Sequence, residues 1–225
     1  MFELRRYRTR PGRRDELVAM FEDHFLDAYE RAGARIVATW RDLDAADCWV
    51  WIRAFESAAT RQAALAGFYG SPTWQARAEA CNATLAEVSD ARALVVAAGD
   101  PLAEAAPSSR SLIEARVCRL KAGDAARVAE FHAAQVTPVL AALGAEPVAT
   151  LVTPAEPPPD PRRTLLAGHW MVVLSRFDSA AAHARHRRAL AASAAAREAE
   201  HALAQQVRGT VAVWRLQPTP RSRLR

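Results

Sequence analysis

The chain has 225 residues, 51% of them hydrophobic, enough for one large domain or two small ones with proper cores. No run of eighteen apolar residues occurs, and alanine-rich stretches such as Ala189 to Ala204 are broken by Arg, Glu and His, so no membrane span is predicted. The formal charge is +5, but Lys121 is the only lysine and the arginines are scattered among acids, whereas a nucleic-acid footprint gathers them on one face.

In chain order, the opening stretch Phe2 to Arg8 alternates as a strand and ends in the turn "RPGRR". Helical sequence follows, with residues 17, 20, 21, 24, 25 and 28 on one face, and stops at Gly33, where a left-handed C-cap favours a residue without a Cβ. Strands are predicted at Ile36 to Arg41 and Trp49 to Ala54, then helical sequence from Ser57. That run halts at "GFYGSPTW": Gly70 ends one helix, Ser71 is a good N-cap and Pro72 a good first helical residue. Beyond this corner the spacing 74, 78, 81, 85 turns Trp74 inward, and a strand at Ala93 to Ala98 closes the unit.

The pattern then recurs. At an offset of 111, Glu3, Arg5, Gly12, Gly33 and "VAT" at Val37 fall on Glu114, Arg116, Gly123, Gly144 and "VAT" at Val148. Later the offset is 122, as "FESAA" at Phe55 meets "FDSAA" at Phe177. The order β-α-β-β-α-β occurs twice, so the fold class is α+β with two tandem ferredoxin-like units. Each unit leaves one sheet face bare, and two such faces bury each other when packed sheet to sheet. The expected domains are 1–99, a linker at 100–111 with the turn "KAGD" early in the next unit, a second unit at 112–217, and a solvated basic tail at 218–225. The proline-rich run Thr153 to Pro161 reads as a hairpin excursion inside the second unit.

The first strand and its corner, "ELRRYRTRPGRRDELVAMFE" with "WVWIRAF" and "FYGSPTW", resemble the NIPSNAP family of the dimeric α/β-barrel superfamily. The resemblance covers residues 2 to 98 well and 112 to 216 weakly, since "SPxW" is absent there. It implies an intrachain dimeric α/β barrel in a bacterial protein, formed by one chain as a monomer or within a homodimer. The superfamily's enzymes, which also include haem-binding degraders, imply cofactor-independent oxygenase, isomerase or lyase chemistry as one option, while most bacterial members of the family have no assigned activity.

On the first strand Glu3, Arg5 and Tyr7 share a face opposite Phe2 and Leu4, and Trp49, Trp51 and Arg53 share one on the third strand. The apolar sides are expected to meet the helices, which leaves the charged and aromatic sides between the two sheets. Rings and guanidiniums there suit a flat, apolar, anionic small molecule held bidentately. The candidate ligand-binding residues are Glu3, Arg5, Tyr7, Trp49, Trp51, Arg53, Trp74, Arg116 and His132, and the catalytic candidates are His24, Arg5 and Tyr7. Paired scaffold charges and core histidines are the plain alternative for Glu3, Arg116, His24 and His132. His183 and His186 are spaced to share a metal but lack a third ligand nearby, so no metal and no cofactor is expected. Cys48, Cys81 and Cys118 read as free buried thiols of a cytoplasmic protein. A non-catalytic interaction module with a filled core is the competing reading, and arginine-mediated nucleic-acid binding the third.

Overall fold

The computed structural model describes residues 1–102, 111–121, 125–160 and 164–225. Most of the expected linker (103–110), the turn containing Gly123 and Pro161 of the proline-rich run lie outside the described residues. The chain divides into two compact units. Unit 1 comprises Met1–Ala93 with Glu156–Leu166 and Pro218–Leu224, and unit 2 comprises Leu94–Ala155, Ala167–Gln217 and Arg225.

Unit 1 begins with β1 (Phe2–Thr9), followed by α1 (Arg14–Met20), a π-helical segment (Phe21–Phe25) and α2 (Leu26–Arg31). Asp15 and Glu16 sit in the first turn, where the helix dipole favours acids, and Gly33 ends the run at φ 97°. β2 (Arg35–Asp42) and β3 (Cys48–Ala54) follow, and β3 pairs antiparallel with both β1 and β2. Then come α3 (Ala58–Tyr69), α4 (Pro72–Gln75), α5 (Ala78–Thr84) and β4 (Leu85–Gly99). The corner forms as its residues predict: Ser71 accepts from the Trp74 backbone N–H at 3.2 Å, and Pro72 opens α4. The helical stripe expected to continue to residue 85 stops short, since α5 ends at Thr84 and β4 starts at Leu85.

Unit 2 repeats the order: β5 (Leu112–Arg119), α6 (Ala125–Phe131), a second π-helical segment (His132–Val136), α7 (Thr137–Ala142), β6 (Glu146–Val152), β7 (Trp170–Phe177), α8 (Ala180–Ala192), α9 (Ala194–Ala204) and β8 (Ala212–Pro218). β5 lies between β7 and β8, β7 pairs with β6, and the Val95–Gly99 end of β4 pairs with β6. Gly144 repeats the φ of 97° found at Gly33. The fold is thus α+β with two tandem ferredoxin-like units.

The sheet of unit 1 faces the other way from the sequence expectation. Register pairs Glu3 with Arg53, Arg5 with Trp51 and Tyr7 with Trp49. Phe21 of the π segment lies 4.8 Å from the Trp49 ring and 5.0 Å from the Trp51 ring, so this face meets the helices. Phe2, Leu4, Val50 and Ile52 are buried on the opposite face. Alternation tells which residues share a face, but not which face the crossover helices cover. Here indole rings and guanidinium stems supply the apolar area that helix packing needs.

The two segments that join unit 1 from far along the chain alter the expected domain limits. The tail is no solvated appendage: Leu224 and Ser222 are buried, the Leu224 carbonyl accepts from Trp40 Nε1 at 3.2 Å, and the Thr219 backbone N–H donates to the Thr39 carbonyl at 3.0 Å. Arg221 and Arg223 pair with Asp27 and Glu30. Acids on α2 thus neutralise a cluster that, read locally, had no partner.

Candidate functional site

One end of the site is a buried ion cluster. The Glu3 carboxylate accepts from Arg5 Nη1 at 3.2 Å, from Arg53 Nε at 2.8 Å, and from Arg61 Nε. The β1–β3 register sets Arg53 opposite Glu3. A capping box between Ser57 and Thr60 starts α3 so that Arg61 falls in its first turn. Burial alone would raise the pKa of Glu3, but the charges of Arg53, Arg5 and Arg61 outweigh it and hold the value at about 2. Arg61 also donates through Nη1 to the Pro159 carbonyl at 2.8 Å and lies 3.7 Å from Asp160.

Above this cluster opens a cavity of about 530 Å³, lined by residues of unit 1 alone. Its helix wall is Phe21, Phe25 and Tyr29, spaced one turn apart across the π segment. Its sheet wall is Tyr7, Trp49 and Trp51, with the two indoles stacked at 5.4 Å. The corner supplies Phe68, Tyr69 and Trp74, so the glycine-serine-proline turn is a fold feature and a cavity wall at once. Phe68 stacks on Tyr29 at 3.6 Å, and Trp74 lies 5.6 Å from Phe25. Arg53 sits 5.2 Å over Trp51 and 5.3 Å over Tyr29, which fixes a cation against two rings.

Several donors here lack acceptors. Trp49 Nε1, Trp51 Nε1 and Arg53 Nη1 are buried with no hydrogen-bond partner among the described residues. Tyr7 accepts from Arg5 Nε at 2.9 Å, which leaves its own hydroxyl proton to be donated elsewhere. Burial raises the Tyr7 pKa, so the phenol stays a neutral donor. Buried unpaired N–H groups each cost on the order of 1–3 kcal/mol.

Of the residues singled out from sequence, Arg5, Tyr7, Trp49, Trp51, Arg53 and Trp74 line this one cavity. It lies on the helix side of the unit 1 sheet, not on the face where it was expected. Glu3 stands beneath it as the anchor of its arginines. His24 is half-buried and outside the lining, because the π turn replaces the 3.6-residue stripe with one through Phe21, Phe25 and Tyr29. Arg116 and His132 belong to unit 2, where Arg116 pairs with Glu200 and His132 Nδ1 lies 3.1 Å from Thr137 Oγ1. Neither is part of the cavity. The sequence reading missed Arg61, Asp160 and Tyr29. Arg61 left a trace, since the 122-residue offset sets it on His183, which holds Glu114 at 2.7 Å as Arg61 holds Glu3. The other histidine of that pair, His186, lies 2.9 Å from the Leu143 carbonyl. No group of three His, Cys, Asp or Glu able to hold a metal occurs among the described residues, and all three cysteines are free and buried.

Unit 2 fills the matching space. Cys118, Met171 and Val173 stand where unit 1 has Tyr7, Trp49 and Trp51, and they pack into one apolar cluster with Leu203 and Val207. The pocket described in that unit is about 100 Å³ and is lined by other residues, such as Thr137 and Pro147.

Residues 2–98 match the model of the NIPSNAP family. No curated protein matches the chain. Among solved structures, an anthrone oxidase-like protein is 13% identical with a TM-score of 0.64, over 97% of this chain and 90% of that one. A candidate monooxygenase from Fusobacterium nucleatum is 9% identical with a TM-score of 0.62, over 96% and 91%. Another candidate monooxygenase, from Lactobacillus acidophilus, is 12% identical with a TM-score of 0.59, over 96% and 92%. At these identities the likeness is one of fold. Among the described residues no helix is long and apolar enough to cross a membrane.

Proposed function

We propose, from the match of residues 2–98 to the NIPSNAP family, that the protein binds or transforms a small, flat, anionic aromatic molecule in the cavity of unit 1. The observation that carries this reading is the pairing of stacked indoles with unpaired donors beside an excess of guanidinium charge. Rings give a planar ligand area, and a guanidinium edge recognises a carboxylate or similar oxyanion. No classical cofactor motif is involved. Turnover in such a site would be of the cofactor-independent oxygenase, isomerase or lyase kind, with Arg5 and Tyr7 proposed to meet a reacting oxygen. The monooxygenase names of two fold neighbours are in keeping with it. Its three free buried thiols fit a cytoplasmic setting. The competing interaction-module reading requires a filled core in unit 1, and a cavity of about 530 Å³ weighs against it.

Native mass spectrometry of protein purified from its own host tests the reading by revealing a copurified molecule. In parallel, 2-naphthoate is titrated against tryptophan fluorescence, with oxygen uptake followed in the same cell. The expected result is saturable quenching that Arg53→Ala weakens by about tenfold or more, the size of one lost charge-assisted contact. Unchanged affinity in both Arg5→Ala and Arg53→Ala would end the proposal.

A further inference from the structure

Resting on that reading of the cavity, we infer that the C-terminal strap Pro218–Leu224 is a working part of the site: Thr219 and Arg221, acting through Glu22, hold the π turn Phe21–Phe25 in its ligand-binding form. They are positioning residues, since neither lines the cavity. In an α-helix four residues overshoot a full turn by about 40°, so side chains four apart drift round the axis. The wider turn takes that drift back and keeps Phe21, Phe25 and Tyr29 in line along the cavity. Phe21 packs on Trp49 and Trp51 of the sheet wall, and Phe25 on Phe68 and Trp74 of the corner. A slip of this turn therefore displaces both walls.

The turn is gripped at Glu22. The Leu26 N–H reaches back five residues to the Phe21 carbonyl, and where the usual spacing of four resumes, one carbonyl of such a turn is skipped. From the strap, Arg221 Nη1 donates to the Glu22 carbonyl. The Glu22 carboxylate accepts from Thr219 Oγ1 at 2.6 Å and from the Arg221 backbone N–H at 2.9 Å. Glu22, Thr219 and Thr39 are buried, and Thr39 Oγ1 hydrogen-bonds the Thr219 hydroxyl, which ties the turn to β2. Ser222 Oγ accepts from the Thr39 backbone N–H at 3.1 Å, and the Leu224 backbone N–H donates to the Val37 carbonyl at 3.0 Å, so the strap is itself fastened along β2. A carboxylate taken out of water needs its donors, so strap and turn hold one another. The second copy makes the contrast: its π turn carries Ala133 where the 111-residue offset puts Glu22, and it packs a filled core. The gripped glutamate goes with the copy that has the large cavity.

The test uses the full chain, well below the melting range of each variant. Binding of 2-naphthoate is read by tryptophan fluorescence, and amide hydrogen exchange on the peptide that spans the π turn. Thr219→Val removes the hydroxyl at nearly constant size, and Glu22→Ala installs the residue of the second copy and a good helix former. Each is expected to weaken binding by about fivefold and to speed exchange in that peptide but not in β1 or β3, because a lost buried hydrogen bond lowers the binding-competent fraction. Thr219→Ser is expected to restore both readouts. Ser193→Ala, which removes a helix cap in unit 2, is expected to leave both unchanged. Unchanged affinity in Thr219→Val and Glu22→Ala, weaker binding without faster exchange, or an equal loss in Ser193→Ala overturns the role of the strap while leaving the cavity reading intact. Failure of wild type to bind 2-naphthoate removes the cavity reading and this inference with it.

Discussion

At the Glu3 carboxylate two forces oppose each other: burial favours protonation, and the three guanidiniums favour charge. The guanidiniums win, and the pKa falls to about 2. A carboxyl depressed in the folded state lends stability that is complete above its unfolded pKa and disappears as pH falls through the folded one. The contribution is on the order of 3 kcal/mol, present above about pH 4.5 and lost toward pH 2. Glu3→Gln should therefore lower stability by about 3–5 kcal/mol at neutral pH and flatten the acid limb, as read from urea midpoints across that window. His132 gives the matching case in unit 2. Burial, aided by the charge of Arg116, lowers its pKa to about 4. The unfolded chain binds the proton first, so stability drops as pH falls from about 6.5 toward 4. His132→Phe, which installs the ring that unit 1 carries at this position, should abolish that drop in a series of thermal melts.

Both crossover helices widen to a π turn at the same repeat position, Phe21–Phe25 and His132–Val136. In unit 1 that turn aims Phe21 and Phe25 at one ring cluster; in unit 2 the same turn carries His132 and Val136 into a filled core. One backbone device thus serves a cavity in one unit and plain packing in the other. The second helical stretch behaves alike. Ser71 caps α4 and Ser193 caps α9, where it accepts from the Ala196 backbone N–H at 3.1 Å. Ser71→Ala and Ser193→Ala should each cost about 1 kcal/mol in chemical denaturation. Only Ser71→Ala should also weaken 2-naphthoate binding, because the corner after Phe68 and Tyr69 orients Trp74.

On the scale of the molecule, unit 1 is completed by chain from three places, and its C-terminal segment illustrates how sequence distance hides a contact. The arginines there form half-exposed pairs, which contribute little in water. The buried Leu224, at 2% exposure, and the bond from Trp40 Nε1 to its carbonyl hold the segment. Leu224→Ala should accordingly cost about 2–3 kcal/mol, and Arg223→Ala less than about 1 kcal/mol, when unfolding is followed by tryptophan fluorescence.

The order of elements, the duplication, the glycine caps and the serine-proline corner were legible in the amino-acid sequence, because each depends on local periodicity or on the conformational range of one residue. The grouping of Arg5, Tyr7, Trp49, Trp51 and Arg53 was legible too, since a strand's two-residue period fixes which side chains stand together. Which way that group faces was not, because a strand does not record the side its crossover helices cover. Arg61 and Asp160 reach Glu3 and the cavity only through contacts 58 and 98 or more residues apart in the chain. Such contacts are set by packing of whole elements, and no local pattern of residues encodes them.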